Sequence, residues 1–357
     1  MGTLRRVIFC LVFFCWELLF TVVILSREVP AGAASPPFQY GIENWTVEKG
    51  LPSNNVFTVF QSSDGYIWLG TMAGLIRFDG VRFVAFNTSN TEAFKSNIAR
   101  TICEDREGNL WIGTGEGVVK FKSGVFTDCT PGEIKNCAIL CLYLDRRGGI
   151  WIGTNGKGLF YQNKSDSIYY HTGNGLSNLT IRGISEDGEG NILVGTSGGL
   201  NQVTNGRVRV FTEKDGLLSD LVGTICEDRE NKHLWIATQK GLNRFKNGKL
   251  SSIPLPAEYA IKTIGALYTD KSNALWIGFV GSGLLHFRGG RFTPILEQEI
   301  SLKDVIYSIL EDKEGNLWVG TASFGLNMLR PLKFSTITAR EGLSNDTVLC
   351  ALEDHKE

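Results

Sequence analysis

The stretch CEDREGNLWIGTGEGVVKF, residues 103–121, decides the fold because it recurs along the chain. The same frame reads SSDGYIWLGTMAGLIRF from Ser62, DRRGGIWIGTNGKGLFY from Asp145 and DGEGNILVGTSGGLNQV from Asp187. It returns as DRENKHLWIATQKGLNRF from Asp228, DKSNALWIGFVGSGLLHF from Asp270 and DKEGNLWVGTASFGLNML from Asp312. Its markers are Trp68, Trp111, Trp151, Leu193 in the Trp position, Trp235, Trp276 and Trp318, spaced by 43, 40, 42, 42, 41 and 42 residues. A near-constant period of this length marks a repeat architecture. A catalytic site is not built seven times over, so the motif is structural.

Each period holds four short segments rich in Ile, Val, Phe, Trp and Thr. In the second copy they are residues 98–103, 109–114, 118–121 and 125–127, parted by turn residues at 105–108, 115–117 and 123–124. No segment carries a 3.6-residue apolar pattern. Four antiparallel strands per period make one propeller blade, so the chain is expected to be all-β, a seven-bladed β-propeller of four-stranded antiparallel blades. The Asp-x-x-Gly before the Trp makes the turn from first to second strand, with Asp bonding local backbone and Gly taking the positive-φ position. The Trp then packs between neighbouring blades, and the small Gly-Thr after it lets blades approach. An Asp box would place Trp five residues after Asp, whereas six is the rule here, and the Gly-His and Trp-Asp pairs of WD repeats do not recur.

The chain has 36 Lys+Arg against 37 Asp+Glu, so it offers no basic field for nucleic acid. Its 42 Gly and 9 Pro suit many short strands joined by tight turns. Arg5 and Arg6, an apolar run over 7–25 broken by Glu17, and the small-residue cluster AGAAS at 31–35 have the parts of a secretory signal. Residues 1–34 are a cleaved signal peptide or an uncleaved membrane anchor, and both place the remainder outside the cytoplasm. Of eight cysteines, Cys10 and Cys15 lie in this leader, and Cys103, Cys141, Cys226 and Cys350 fall in strand phases that fit small buried residues. Cys129 and Cys137 flank a loop and are candidates for pairing in an oxidising compartment. No Cys/His spacing suggests a metal, and no cofactor is expected.

The propeller is expected over 35–346. Residues 347–357, TVLCALEDHKE, read as the first strand of an eighth repeat, the start of a second propeller in a longer protein. Two segments qualify to close the ring, 38–47 and 334–343, which share an outer-strand pattern.

No nucleophile, base and orienting group can be assembled. GTGEG at 113–117 and GTNGKG at 153–158 lack the Lys-Ser/Thr and the helix of a phosphate loop. The repeated acids are expected as solvated turn residues, and His286 as a core or blade-edge residue. A propeller gathers loops from all blades around one central mouth. The candidate ligand-binding residues on those loops are Arg100, Arg182, Lys157, Lys240, Phe279 and Phe324, a cationic and aromatic set suited to a sugar or a carboxylated small molecule.

The run EDREGNLWIGT, followed in its blade phase by GLNRF at 241–245 and by Gly-Leu-Ser-Asn at 175–178 and 342–345, resembles the two-component regulator propeller repeat. That resemblance implies a periplasmic sensor of one or two seven-bladed propellers, followed by an immunoglobulin-like domain, a membrane helix and a histidine kinase or diguanylate cyclase output module. The chain is then expected to be a non-enzymatic ligand-sensing propeller on the periplasmic side of the inner membrane. Its membrane contact would run through the leader or a helix beyond this chain, and its homodimerisation through regions beyond it. The alternative is a free-standing secreted propeller, acting as a binding scaffold or a lyase.

Overall fold

A computed structural model describes residues 40–164, 166–228, 230–295 and 302–332. The leader 1–34, the second closure candidate 334–343 and the eighth-repeat strand 347–357 lie outside these residues. The described strands form seven four-stranded sheets. Blade 2 is typical: Ala99–Glu104, Leu110–Thr114, Gly117–Lys122 and Val125–Asp128 pair in sequence order, each antiparallel to the next.

The first strands of blades 1 to 7 are Val56–Gln61, Ala99–Glu104, Ile139–Leu144, Ile181–Glu186, Val222–Asp228, Ile264–Thr269 and Ile306–Glu311. Each packs beside the first strand of the next blade, and the seventh returns to the first, so the sheets close into a ring around an axial channel. Closure uses the first of the two candidate segments. Tyr40–Trp45 lies beside Leu326–Pro331 as the outer strand of blade 7. Asn44 Nδ2 donates to the Phe324 carbonyl at 2.7 Å and to Asn327 Oδ1 at 3.0 Å, and Trp45 stacks on Trp318 with ring centroids 5.5 Å apart.

The Trp markers sit on the second strands and pack forward onto the next blade. Trp68 lies among Ile102, Leu110 and Ile112, Trp151 among Ile181, Ile184 and Ile192, and Trp235 among Ile264, Leu267 and Leu275. Trp276 and Trp318 do the same against blades 7 and 1, half-buried Trp111 packs against blade 3, and Leu193 meets blade 5. The glycine two residues after the Trp is fixed by this approach: at Gly153 a Cβ would come within 2.4 Å of Cys141 Sγ and 2.7 Å of Ile181 Cγ2 in blade 4.

Of the seven turn Asp residues Asp64 is exposed and the other six are half-buried or buried, which corrects the sequence expectation of solvated acids. Asp145, Asp228 and Asp312 are buried, as is Glu186. In the common pattern one Asp oxygen accepts turn backbone N–H groups and the other accepts the indole N–H of the Trp six residues on. The indole distances are 3.0 Å for Asp105–Trp111, 2.9 Å for Asp145–Trp151, 2.8 Å for Asp270–Trp276 and 2.7 Å for Asp312–Trp318. In blade 1 Ser62 Oγ takes the Asp role at 3.0 Å from Trp68 Nε1. In blade 5, where the turn is one residue longer, Asp228 instead accepts from Asn231 and Asn273.

In four blades the residue before the Asp position ties the blade to its predecessor. Glu104 accepts Ser63 N at 2.8 Å, Glu186 accepts Arg146 N at 2.8 Å, Glu311 accepts Lys271 N at 2.7 Å, and Gln61 accepts Lys313 N at 2.8 Å. Basic side chains follow the same path: Arg146, Lys271 and Lys313 donate to the carbonyls of Asp187, Asp312 and Ser63 at 2.7, 2.6 and 2.8 Å. These bonds make a belt around one face of the ring. Buried charge is tolerated there because its lone pairs and protons are matched.

Cys129 and Cys137 are free thiols, not a disulfide. Cys137 is buried with its Sγ directed at the Asn155 carbonyl, 3.4 Å away.

Candidate functional site

The face opposite the belt carries the turns from second to third strand and the connections between blades. A buried Thr builds each common turn. Thr114 Oγ1 donates to the Gly117 carbonyl at 2.9 Å and accepts Glu116 N at 3.1 Å, and Thr71, Thr196 and Thr321 repeat the arrangement. Third-strand asparagines pin the blade connections: Asn201 Oδ1 accepts Ser177 N at 2.9 Å and Asn243 Oδ1 accepts Leu218 N at 3.0 Å. The loops that rim the mouth are therefore held from beneath.

All seven first strands slip register at the same place, one residue after the strand begins. A β-bulge re-aims the extra side chain and is common where a strand serves a site. Here the bulged residues are Phe57, Arg100, Leu140, Arg182, Gly223, Gly265 and Tyr307, one per blade. The strand residue before each is buried and carries the core. The bulged side chains touch across blades: the Tyr307 and Phe57 ring centroids are 5.4 Å apart, and the Arg100 guanidinium lies 4.7 Å over the Phe57 ring. They form a collar at the loop-side end of the channel, cationic on blades 2 and 4, aromatic on blades 7 and 1, and bare on blades 5 and 6.

The six candidates divide accordingly. Arg100 and Arg182 belong to the collar, on first strands rather than loops. Lys157 and Lys240 stand on the turns of blades 3 and 5, each engaged with its own blade connection. Lys157 Nζ donates to the Lys135 carbonyl at 2.7 Å, and Lys240 Nζ pairs with Glu213 at 3.0 Å. Phe324 is 39 % exposed on the turn of blade 7. Phe279 is 0 % exposed and packs on Tyr259 at 4.9 Å, so it is a core residue beyond the reach of a ligand at the mouth. It occupies the position of the buried Thr in the other blades, a column visible in the aligned letters. Phe57 and Tyr307 escaped sequence reasoning because a bulge leaves no mark on a period-two pattern.

A cleft of about 280 Å³ lies at blade 6, lined by Glu258, Tyr259, Ser282, Ile295 and Lys303. Ile295 is on the outer strand, which places this cleft at the rim rather than in the collar.

The histidines stand elsewhere. His171 caps a 3-10 turn through Nδ1, which accepts Gly173 N at 3.0 Å. His233 and His286 are buried beside belt-face acids, 3.4 Å from Asp228 and 3.9 Å from Asp270. Burial pushes both imidazoles below the usual histidine value, against the pull of those carboxylates. His355 lies outside the described residues.

A closed seven-bladed ring with a built collar defines the class. The family model described as two component regulator propeller matches residues 50–73, 93–116, 133–156 and 301–323, so these four stretches are similar to that family's repeat. Each matched stretch runs from a blade connection through the first two strands to the second-to-third turn, in blades 1, 2, 3 and 7. Blades 4, 5 and 6 depart from the frame at Leu193, at the longer turn after Asp228, and at Phe279. A search of curated proteins finds no match.

Among solved structures, the chain is similar to the extracellular domain of the hybrid two component system BT3049 from B. thetaiotaomicron, at 24 % identity and TM-score 0.70 over 84 % of this chain and 42 % of that one. The corresponding domain of BT4673 from the same organism gives 22 % identity and TM-score 0.68, over 82 % and 39 %. Virginiamycin B lyase from Staphylococcus aureus gives 12 % identity and TM-score 0.64, over 83 % of this chain and 100 % of that one. These likenesses are of fold. The chain spans about two fifths of the two sensor domains it resembles.

Proposed function

We propose that the chain is an extracytoplasmic ligand-sensing propeller of a bacterial membrane signalling receptor of the two-component type. The observation that carries this is the family repeat itself, which maps onto the blade halves that build the collar. Sensing needs a preformed site on a frame that transmits a change in packing. The collar is such a site and the inter-blade belt is such a frame. The ligand is a small molecule or carbohydrate held at the loop-side mouth, with Arg100, Arg182, Lys157, Lys240 and Phe324 within the binding face. The domain stands on the periplasmic side of the inner membrane, behind the 1–34 leader acting as signal or anchor. Dimerisation and the kinase or cyclase output belong to sequence beyond this chain, which does no chemistry of its own.

A free-standing secreted propeller is the competing proposal, favoured by the lyase fold whose whole length the chain matches. Of the described histidines, His233 and His286 lie beside belt-face acids and His171 is occupied in a cap, so none of them stands at the mouth as a base.

Protease added to intact spheroplasts that express the full gene distinguishes the outcomes. Digestion of the propeller with survival of a cytoplasmic output fragment supports the receptor. Protection of the propeller, or its release as a soluble product with no membrane-retained fragment, contradicts it.

A further inference from the structure

Arg100 and Arg182 stand two blades apart on the collar, and no carboxylate answers either. Among the described residues neither is in an ion pair. Arg182 gives its Nε–H to Ser197 Oγ at 3.1 Å, and Arg100 Nε is shielded from solvent with no hydrogen-bond partner. A shielded guanidinium N–H without an acceptor is a costly group.

Two acids of this face are committed elsewhere, while Glu116 stands exposed on the blade 2 turn. Asp304 accepts the backbone N–H of Val305 at 2.7 Å and of Phe324 at 3.3 Å, and Asp220 accepts that of Glu213 at 2.7 Å. Glu104, Glu186, Glu227 and Glu311 lie toward the belt-side ends of their strands. The collar itself carries two guanidiniums and no carboxylate, a local field that favours an anion.

Tyr307 is 37 % exposed, with Phe57 behind it. The two collar positions that precede it, Gly223 and Gly265, bear no side chain. At Gly265 a Cβ would fall 2.3 Å from the Ile306 carbonyl oxygen, so the close approach of the blade 7 backbone fixes glycine there and no side chain projects from that position.

The geometry points to a binding site for a small organic carboxylate with a flat or aromatic body. The carboxylate sits between Arg100 and Arg182, whose planar forks make short, charge-assisted N–H···O bonds. The body lies over the glycine gap against Tyr307, where offset stacking is favourable. A neutral isostere loses the first contact, and a bare anion loses the second. This deepens the sensor proposal by naming its ligand class, and it rests on that proposal for the use the cell makes of binding, not for binding itself.

The test is calorimetric titration of the purified chain with phenylacetate, phenylacetamide, acetate and inorganic phosphate as probes. Saturable binding of phenylacetate is expected, with the amide, acetate and phosphate at least about ten-fold weaker. Arg182→Met and Tyr307→Ala each lose about ten-fold or more while keeping the wild-type melting temperature. Four results would overturn the site: no saturable phenylacetate binding at millimolar concentration, equal binding of the amide, equal binding of acetate or phosphate, or unchanged affinity in Arg182→Met. Binding as expected, but with a receptor whose output ignores every ligand, overturns the sensor proposal and leaves the site standing. A natural inducer that still acts on an Arg182→Met receptor removes the site and leaves the sensor.

Discussion

Trp151 Nε1 donates to Asp145 Oδ2 at 2.9 Å, while Asp145 Oδ1 accepts the backbone N–H of Arg147 and Gly149 at 2.9 and 2.8 Å. One carboxylate thus shapes the turn and orients the ring that seals blade 3 to blade 4. The six-residue spacing of Asp and Trp, which looked like turn grammar followed by a core residue, is a single hydrogen-bonded unit.

Trp151→Ala removes both the ring and the donor. It should cost about 3–5 kcal/mol in urea unfolding, as large aromatic deletions do. Trp151→Phe keeps much of the ring and orphans one Asp145 oxygen, for about 1–3 kcal/mol. A loss under about 0.5 kcal/mol for Trp151→Ala, the range of plain surface changes, contradicts the blade seal.

Gly153→Ala should destabilise by about 1–3 kcal/mol, because its methyl group meets Cys141 Sγ and Ile181 Cγ2 of the neighbouring blade. Gly124→Ala has open space but a φ of +87°, so its smaller cost is local strain. Chemical denaturation of both variants measures the difference. Equal losses would mean that blade approach is not what fixes Gly153.

Acid should unfold the propeller in two stages. His233 and His286 have folded values lowered by burial, so the unfolded chain binds protons more strongly and stability falls as pH drops below about 6.5. The groups facing His233 are Asp228, Arg244 and Lys246, and those facing His286 are Asp270 and Arg288. Burial opposes the charge of Asp105, but hydrogen bonds from Asn109, the Trp111 indole and Lys120 outweigh it and hold the carboxyl down to about 2. Its contribution is present above about pH 4 and is lost between there and about 2. Unfolding free energy measured against pH should decline below 6.5, and less so in a His233→Asn, His286→Asn double variant. A flat profile from pH 7 to 5 in the wild type contradicts this.

Cys103 and Cys141 thiols are pushed up to about 12, Cys103 by burial and by the nearby Asp105 charge, Cys141 by burial. Neither should react with a thiol reagent at pH 8 until the chain is unfolded. Non-reducing peptide mapping of the exported protein should show Cys129 and Cys137 unlinked. Fast labelling of Cys141 in the native protein, or a linked 129–137 peptide, contradicts the packing described here.

The repeat period, the four strands and the forward-packed Trp residues are written in local letters: apolar runs, turn residues and a marker that returns every forty-odd positions. The positive-φ turn position was equally legible, at Gly108 and Gly148 and, by substitution, Asn273. What could not be read is non-local. Glu186 looks like any exposed turn acid until blade 3 brings the Arg146 N–H to it. Arg100 and Arg182 read as loop residues in the sequence but lie on first strands. Their aim depends on a bulge that shifts register by one residue without changing composition. Phe279 reads as a loop aromatic by chemistry, yet it fills a buried Thr column, and the bulge that exposes Tyr307 leaves no mark in the letters.

The central claim is that the collar at the loop-side mouth is where this propeller receives its signal. The most direct measurement is the inducer response of the intact receptor, read through a transcriptional reporter, in wild type and in Arg182→Met and Tyr307→Ala variants matched for abundance and export. The account predicts that both variants lose the response while basal output is unchanged. A full wild-type response in both would place signal reception elsewhere in the receptor.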